Sequence, residues 1–198
     1  MLLYDSAISG NCYKVRLLLA QLGLDYERHE LDVVDRSNRA QLLGDLNPAL
    51  RVPTLVFDDG RSLAESNAIL WYLAQGSAYS PKDHFLQAKV LQWLFFEQYC
   101  HEPNIAVLRF WLAVAKLPVA QAEIDAKRAA GDAALDALER QLALGAYIVG
   151  DAYTIADIAL YAYTHIADEA GFDLADRPAT SAWLARVAAQ PGHVPIGA

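Results

Sequence analysis

The sequence predicts an α/β domain of order βαβ-α-ββα followed by an all-helical domain. Three observations carry this. Short apolar runs alternate with a helical pattern through the first part of the chain. A turn-rich stretch, 76–83, then interrupts every pattern, and from residue 84 onward only helical periodicity remains. The expected domains are therefore 1–76 and 84–198.

Each element has its own signal. Leu2-Leu3-Tyr4 reads as the first strand. Val15, Leu18, Leu19 and Leu22 then recur on one helical face, and Gly23 supplies a stop. Tyr26 to Leu31 returns to strand character and completes a βαβ unit. After the polar Asp35 to Asn38 comes a short helix near Arg39 to Asp45, and then the strand-like Val52 to Phe57. Asp59-Gly60 is a hairpin turn into Ser62-Leu63. Glu65 to Ala74 is a helix with Ala68, Ile69 and Tyr72 at helical spacing. In the second half the amphipathic series are Leu86, Val90, Trp93, Leu94; Leu135, Leu138, Leu142; and Ile158, Tyr161, Ala162.

Composition narrows the function. Hydrophobic residues make up 55% and charged residues 20% of 198, enough apolar material for buried cores. Sixteen basic against twenty-four acidic residues give a net charge of -8 with no Lys/Arg run, which argues against nucleic acid as a partner. The opening has no signal-peptide character and no apolar stretch suits a membrane span, so the expected setting is the cytoplasm, with no membrane partner. Cys12 and Cys100 stand far apart without a Cys-x-x-Cys or a spaced His, so neither a disulfide framework nor a metal site is expected.

Three short segments could carry chemistry. Ser9-Gly10-Asn11-Cys12 sits at a strand-to-helix turn, where free N–H groups and the positive helix end favour an anion such as a thiolate. A serine or asparagine there equally caps the helix. Arg51-Val52-Pro53-Thr54 places a proline at the start of a strand, where a trans edge proline is the ordinary reading. Glu65-Ser66-Asn67 opens a helix, as a ligand site or as a plain capped N-terminus.

Taken in order, the three segments resemble the glutathione site of the glutathione transferase family, and the resemblance covers nearly the whole chain. Ser9-x-x-Cys12-Tyr13-Lys14-Val15-Arg16 is similar to the opening of serine-type members, the zeta class above all. Asn47-Pro48-x-x-Arg51-Val52-Pro53-Thr54-Leu55 matches the family's Asn-Pro and Val-Pro stretch, and Leu63-x-Glu65-Ser66-x-Ala68-Ile69 its Glu-Ser helix start. Thr154-Ile155-Ala156-Asp157 resembles the family's capping box.

The resemblance implies a thioredoxin-like first domain with glutathione as co-substrate and no metal. It implies that Pro53 is cis, that the Val52 backbone pairs with the cysteinyl part of glutathione, and that Glu65 and Ser66 hold the γ-glutamyl end, with Arg51 beside the peptide. Ser9 is the expected donor to the thiolate and Asn11 an auxiliary one. Cys12 is the rival, because Gly10-x-Cys12 also overlays the Gly-x-Cys of beta-class members. A small electrophile is expected between the domains, near Tyr99, Asn104 and Trp111, with His101 and Leu108 weighed beside them. A homodimer and a role in detoxification are implied. The alternatives are a thiol-disulfide oxidoreductase, a maleylacetoacetate-type isomerase, and a non-catalytic interaction module on the same fold.

Overall fold

The computed structural model describes every residue from Met1 to Ala198. The chain forms two compact units, residues 1–75 together with 191–198, and residues 76–190.

In the first unit β1 (Leu2–Asp5), α1 (Gly10–Leu22), β2 (Glu27–Glu30), α2 (Arg39–Leu43), β3 (Thr54–Val56), β4 (Ser62–Ala64) and α3 (Ser66–Leu73) follow one another in the predicted order. The sheet runs β2-β1-β3-β4, with β1 and β2 parallel and the other pairs antiparallel. Leu3, Leu55, Val15, Leu19 and Ile69 meet as a fully buried core between sheet and helices. The edge strand β2, Glu-Arg-His-Glu, is exposed throughout, and its charges discourage pairing with another strand.

Helix α1 stops where the sequence said it would. Gly23 has φ 65°, and its N–H and that of Leu24 bond back to Ala20 O and Leu19 O, a geometry that a side chain at Gly23 would strain. Strand β3 begins later than its apolar run, because Pro53 has no N–H to give to the ladder.

A buried ion cluster joins the elements behind the sheet. Asp5, wholly buried on β1, accepts from Arg16 of α1 at 2.6 Å and forms an ion pair with Arg28 of β2 at 2.7 Å. The last eight residues complete it: Tyr13 Oη donates to Val194 O at 2.7 Å, Arg16 to Ile196 O, and Arg28 to Ala198 O at 2.7 Å. The expected helical domain ran to residue 198, but this tail belongs to the first unit. Pro191-Gly192 ends the helical run, and the buried donors Tyr13 and Arg16 find their acceptors in the tail's carbonyls.

The second unit contains α4 (His84–Phe96), α5 (Glu102–Arg109), α6 (Gln121–Leu142), α7 (Ile155–Thr164) and α8 (Pro178–Ala188). A π-helical turn, Glu97–His101, joins α4 to α5, and a second, Phe110–Val114, follows α5. Pro103, which cannot donate and would crowd the carbonyl four residues back, accounts for the widened turn before it. All ten residues of α7 are buried, and α4, α5 and α8 pack around it. Glu139 of α6 accepts from the N–H groups of Ala179 and Thr180 and from the Thr180 hydroxyl, so one helix caps the start of another.

Asp157 is the polar centre of this unit. One carboxylate oxygen accepts from Thr154 N at 2.8 Å, closing the capping box, while the other takes Ile148 N at 3.0 Å and Trp183 Nε1 at 2.9 Å. It therefore ties the start of α7 to the preceding loop and to α8. Burial pushes its pKa up to about 6, and the bonds from Thr154, Ile148 and Trp183 restrain the rise.

Asp157→Ala removes a cap and leaves buried donors unpaired, so it is expected to cost roughly 2–4 kcal/mol at pH 7 while the folded fraction keeps its turnover. Because the folded-state pKa lies above the unfolded one, the native state holds a proton that the unfolded chain has lost between about pH 4 and 6. Wild-type stability relative to the variant should thus grow by about 1.4 kcal/mol from pH 7 to pH 5. Urea titrations at both pH values check this, and a gap that narrows on acidification contradicts it.

Candidate glutathione site

Sheet register gathers the three segments singled out in the sequence at one end of the first unit. Tyr4 pairs with Thr54 and Thr54 with Ala64. The chain leaving β1 toward Ser9, the Val52-Pro53 segment entering β3, and Glu65-Ser66 leaving β4 therefore emerge on the same side.

Ser9 is the N-cap of α1, with extended φ,ψ of -81° and 121°, and its Oγ accepts from Cys12 N at 3.4 Å. Capping uses only a lone pair. The hydroxyl proton remains to be donated, so cap and donor are compatible roles for one side chain.

The Val52-Pro53 bond is cis. The loop before it is held by Asn47, whose amide donates to Arg51 O at 2.9 Å and Thr54 Oγ1 at 3.0 Å. Leu50 in this loop has φ 54°, and Arg51 is exposed.

Glu65 has φ 66° and ψ 113°, a conformation that costs a non-glycine residue of order 1–3 kcal/mol. It precedes α3 as its N-cap without a side-chain cap bond, and its carboxylate is solvent-exposed. Next to it Ser66 is buried. Its Oγ accepts from Lys14 Nζ at 3.3 Å and donates to Asn11 Oδ1 at 3.3 Å, and Lys14 Nζ also donates to Asn11 Oδ1 at 2.8 Å. Asn11 and Ser66, 55 residues apart in sequence, are thus joined at the first turns of α1 and α3.

Lys14 and Asn47 were not picked out as functional side chains from the sequence. Lys14 is wholly buried although it is a lysine, and the one available hint was its position between Tyr13 and Val15 on a helix that has no fully polar face. In the sequence Asn47 stands out only as part of the Asn47-Pro48 motif.

Cys12 is fully buried. Desolvation pushes its thiol well above the ordinary range, the Asp5 carboxylate adds to the rise, and the Ser9 and Ser6 bonds oppose it. A thiol so placed is neutral at physiological pH and is a poor nucleophile.

The candidates for the second substrate lie in the second unit. Tyr99 is 85% exposed, Asn104 Nδ2 donates back to Cys100 O at 2.7 Å, and Trp111 lies under Lys127 Nζ at 5.8 Å from the ring centre. His101 and Leu108 are fully buried, His101 Nε2 lying 2.9 Å from Thr164 Oγ1, so both are core residues of that unit. No group of three or more His, Cys, Asp or Glu is arranged to hold a metal ion, and no helix is long and apolar enough to cross a membrane.

Comparison with known proteins decides the family. Residues 8–75 match the Glutathione S-transferase, N-terminal domain, and residues 93–191 the Glutathione S-transferase, C-terminal domain, so the chain belongs to the glutathione S-transferase family. It is similar to a glutathione S-transferase crystal structure from Pseudomonas fluorescens, at 48% identity and TM-score 0.94 over 98% of each chain. Glutathione S-transferase 3 of Zea mays is 32% identical over 201 residues, covering 96% of this chain and 89% of that protein. The structure of Ure2p in complex with glutathione is 25% identical, with a TM-score of 0.86 over 96% of this chain and 90% of that one. The protein is a glutathione transferase.

Because Cys12 is enclosed, native alkylation with iodoacetamide at pH 8 is expected to leave it unmodified, and denaturation to make it fully reactive. Peptide mass spectrometry checks this. A glutathione adduct on Cys12 in the native protein contradicts the assignment.

Proposed function

We propose that Ser9 donates to the thiolate of bound glutathione, with Asn11 as an auxiliary donor, and that the thiolate then attacks a small electrophile. The register that places Ser9, Val52-Pro53 and Glu65-Ser66 at one end of the sheet is the observation that supports this reading most. A donor at a helix N-terminus suits a developing anion, since both the hydroxyl and the helix dipole favour charge there.

Free thiols have pKa near ~8.5 and are only slightly ionised at pH 7. One hydrogen bond to a charged acceptor contributes ~1.5–3 kcal/mol, roughly one to two pKa units, which is enough to make the thiolate the main species. No separate base is needed.

The remaining assignments follow the shape of glutathione. No group of the chain accepts from the Val52 N–H, so this amide can pair with the cysteinyl backbone of the peptide as an added strand does. Glu65, exposed and unengaged by its own helix, suits the γ-glutamyl ammonium. Ser66 and the first N–H groups of α3 suit its carboxylate, and Arg51 lies on the exposed flank for the peptide. Tyr99, Asn104 and Trp111 are proposed to meet the electrophile, and the working unit to be a homodimer in the cytoplasm. The enclosed Cys12 thiol speaks against the thiol-disulfide alternative.

Glutathione at 100 times its dissociation constant should stabilise the fold by about 2.7 kcal/mol. Glu65→Gln and Ser66→Ala should reduce the shift in melting temperature, and a wild type whose melting temperature does not move with glutathione refutes the site. Ser9→Ala should cut turnover near neutral pH about tenfold or more and recover part of it as the pH is raised, in line with a loss of one to two pKa units. A pH–rate profile unchanged in Ser9→Ala removes Ser9 from the chemistry.

A further inference from the structure

We infer that Lys14 is a positioning residue for thiol activation: its buried ammonium sets which end of the Asn11 amide faces the reacting sulfur. The inference rests on the reading of the site given above.

Lys14 is completely buried, and an ammonium taken out of water is costly to keep charged. Its location raises that cost. It stands in the opening turns of α1 and reaches Ser66, the first residue of α3, so it lies at the positive ends of two helix dipoles, where a cation is disfavoured. Stability of the fold does not account for a lysine here.

What the ammonium accomplishes is visible in the bonding. Asn11 and Lys14 are three residues apart and share a helix face. A lysine ammonium has three donors and no acceptor, so the Asn11 side chain can bond to it only through oxygen. Lys14 at 2.8 Å and the Ser66 hydroxyl at 3.3 Å both address Asn11 Oδ1. An asparagine whose oxygen is committed in this way turns its NH₂ group in the opposite direction. Without Lys14 the amide could rotate and offer its oxygen to the site. A carbonyl oxygen beside a thiolate repels it, whereas an N–H stabilises it, so the orientation decides the sign of Asn11's contribution. Lys14 thereby acts on the sulfur through Asn11, which is why conjugation chemistry at this site depends on a residue that need not touch the substrate.

The test is a pH titration of the thiol of bound glutathione, followed by the ultraviolet absorbance of the thiolate, with glutathione affinity measured in parallel. The proteins are the wild type, Ser9→Ala, Asn11→Ala, Lys14→Met, Lys14→Arg and the Lys14→Met/Asn11→Ala double variant. Lys14→Met should raise the thiol pKa by roughly one unit, a tenfold loss of ionisation, and at least as much as Asn11→Ala does. The double variant should show no more than the Asn11→Ala shift, since Lys14 has nothing left to orient. Lys14→Arg keeps a donor toward Asn11 and should restore most of the wild-type value. Lys14→Arg, donor-only like lysine, also keeps misfolding of Lys14→Met from deciding the matter. A rise of its thiol pKa as large as that of Asn11→Ala overturns the inference. Additive shifts in the double variant, or an unchanged thiol pKa in Lys14→Met, overturn it too. If Asn11→Ala leaves the pKa unchanged while Ser9→Ala raises it, the inference fails and the reading of the site stands. A wild type that does not bind glutathione removes both.

Discussion

The first unit is organised by how helix α1 disposes of two buried cations. Nine of its thirteen residues are buried, Lys14 and Arg16 among them. Two positions apart, these side chains point to different sides of the helix and must be satisfied separately. Arg16 turns toward the sheet, where Asp5 neutralises it at 2.6 Å and the carbonyls of Ser6, Ala7 and Ile196 accept from its two terminal nitrogens. Lys14 turns toward α3 and is held by Asn11 and Ser66. The first solution fixes α1 on β1 and recruits the C-terminal tail. The second joins the openings of α1 and α3.

This division separates structure from chemistry along one helix. The Arg16 side is an ion pair whose two terminal nitrogens are both engaged while Nε has no acceptor, and removing either partner would strand a buried charge. The Lys14 side is built from uncharged partners at two positive helix ends, an environment better suited to an incoming anion than to the lysine itself. Cys12, two residues before Lys14 in sequence, is left in a fully enclosed position, and burial first and the Asp5 carboxylate second keep its thiol protonated. The chain thus encloses a thiol of its own, while the cap hydroxyl of Ser9, which we propose serves the thiol of glutathione, keeps a proton to donate.

How much of this was legible in the sequence follows from what each residue's pattern encodes. The order of elements was readable because Gly23, Asp59-Gly60 and the Thr154-x-x-Asp157 box are local devices whose geometry is set by near neighbours. The three candidate segments were readable as motifs, and register brings them to one sheet end. Lys14 was not readable as a buried group, since burial of a lysine depends on acceptors that come from residue 66, far along the chain. The return of residues 191–198 to the first unit was equally invisible, because nothing in Pro191-Gly192 specifies where the chain goes after it turns. Glu65's positive φ was hidden for a related reason: no glycine marks it, and only the pairing of β4 with β3 and the start of α3 impose it. The π-helical turns around α5 escaped too, since Pro103 signals a break in the ladder without saying how the chain absorbs it.

The central claim is that the sulfur of glutathione lies at the start of α1 within reach of the Ser9 hydroxyl, away from the Cys12 thiol. A crystal structure of the complex with glutathione tests it most directly. The account predicts the sulfur at hydrogen-bond distance from Ser9 Oγ, the Asn11 oxygen still on Lys14, and the γ-glutamyl group at Glu65 and Ser66. A sulfur bonded to Cys12, or a peptide bound elsewhere with Ser9 facing no ligand atom, would contradict it.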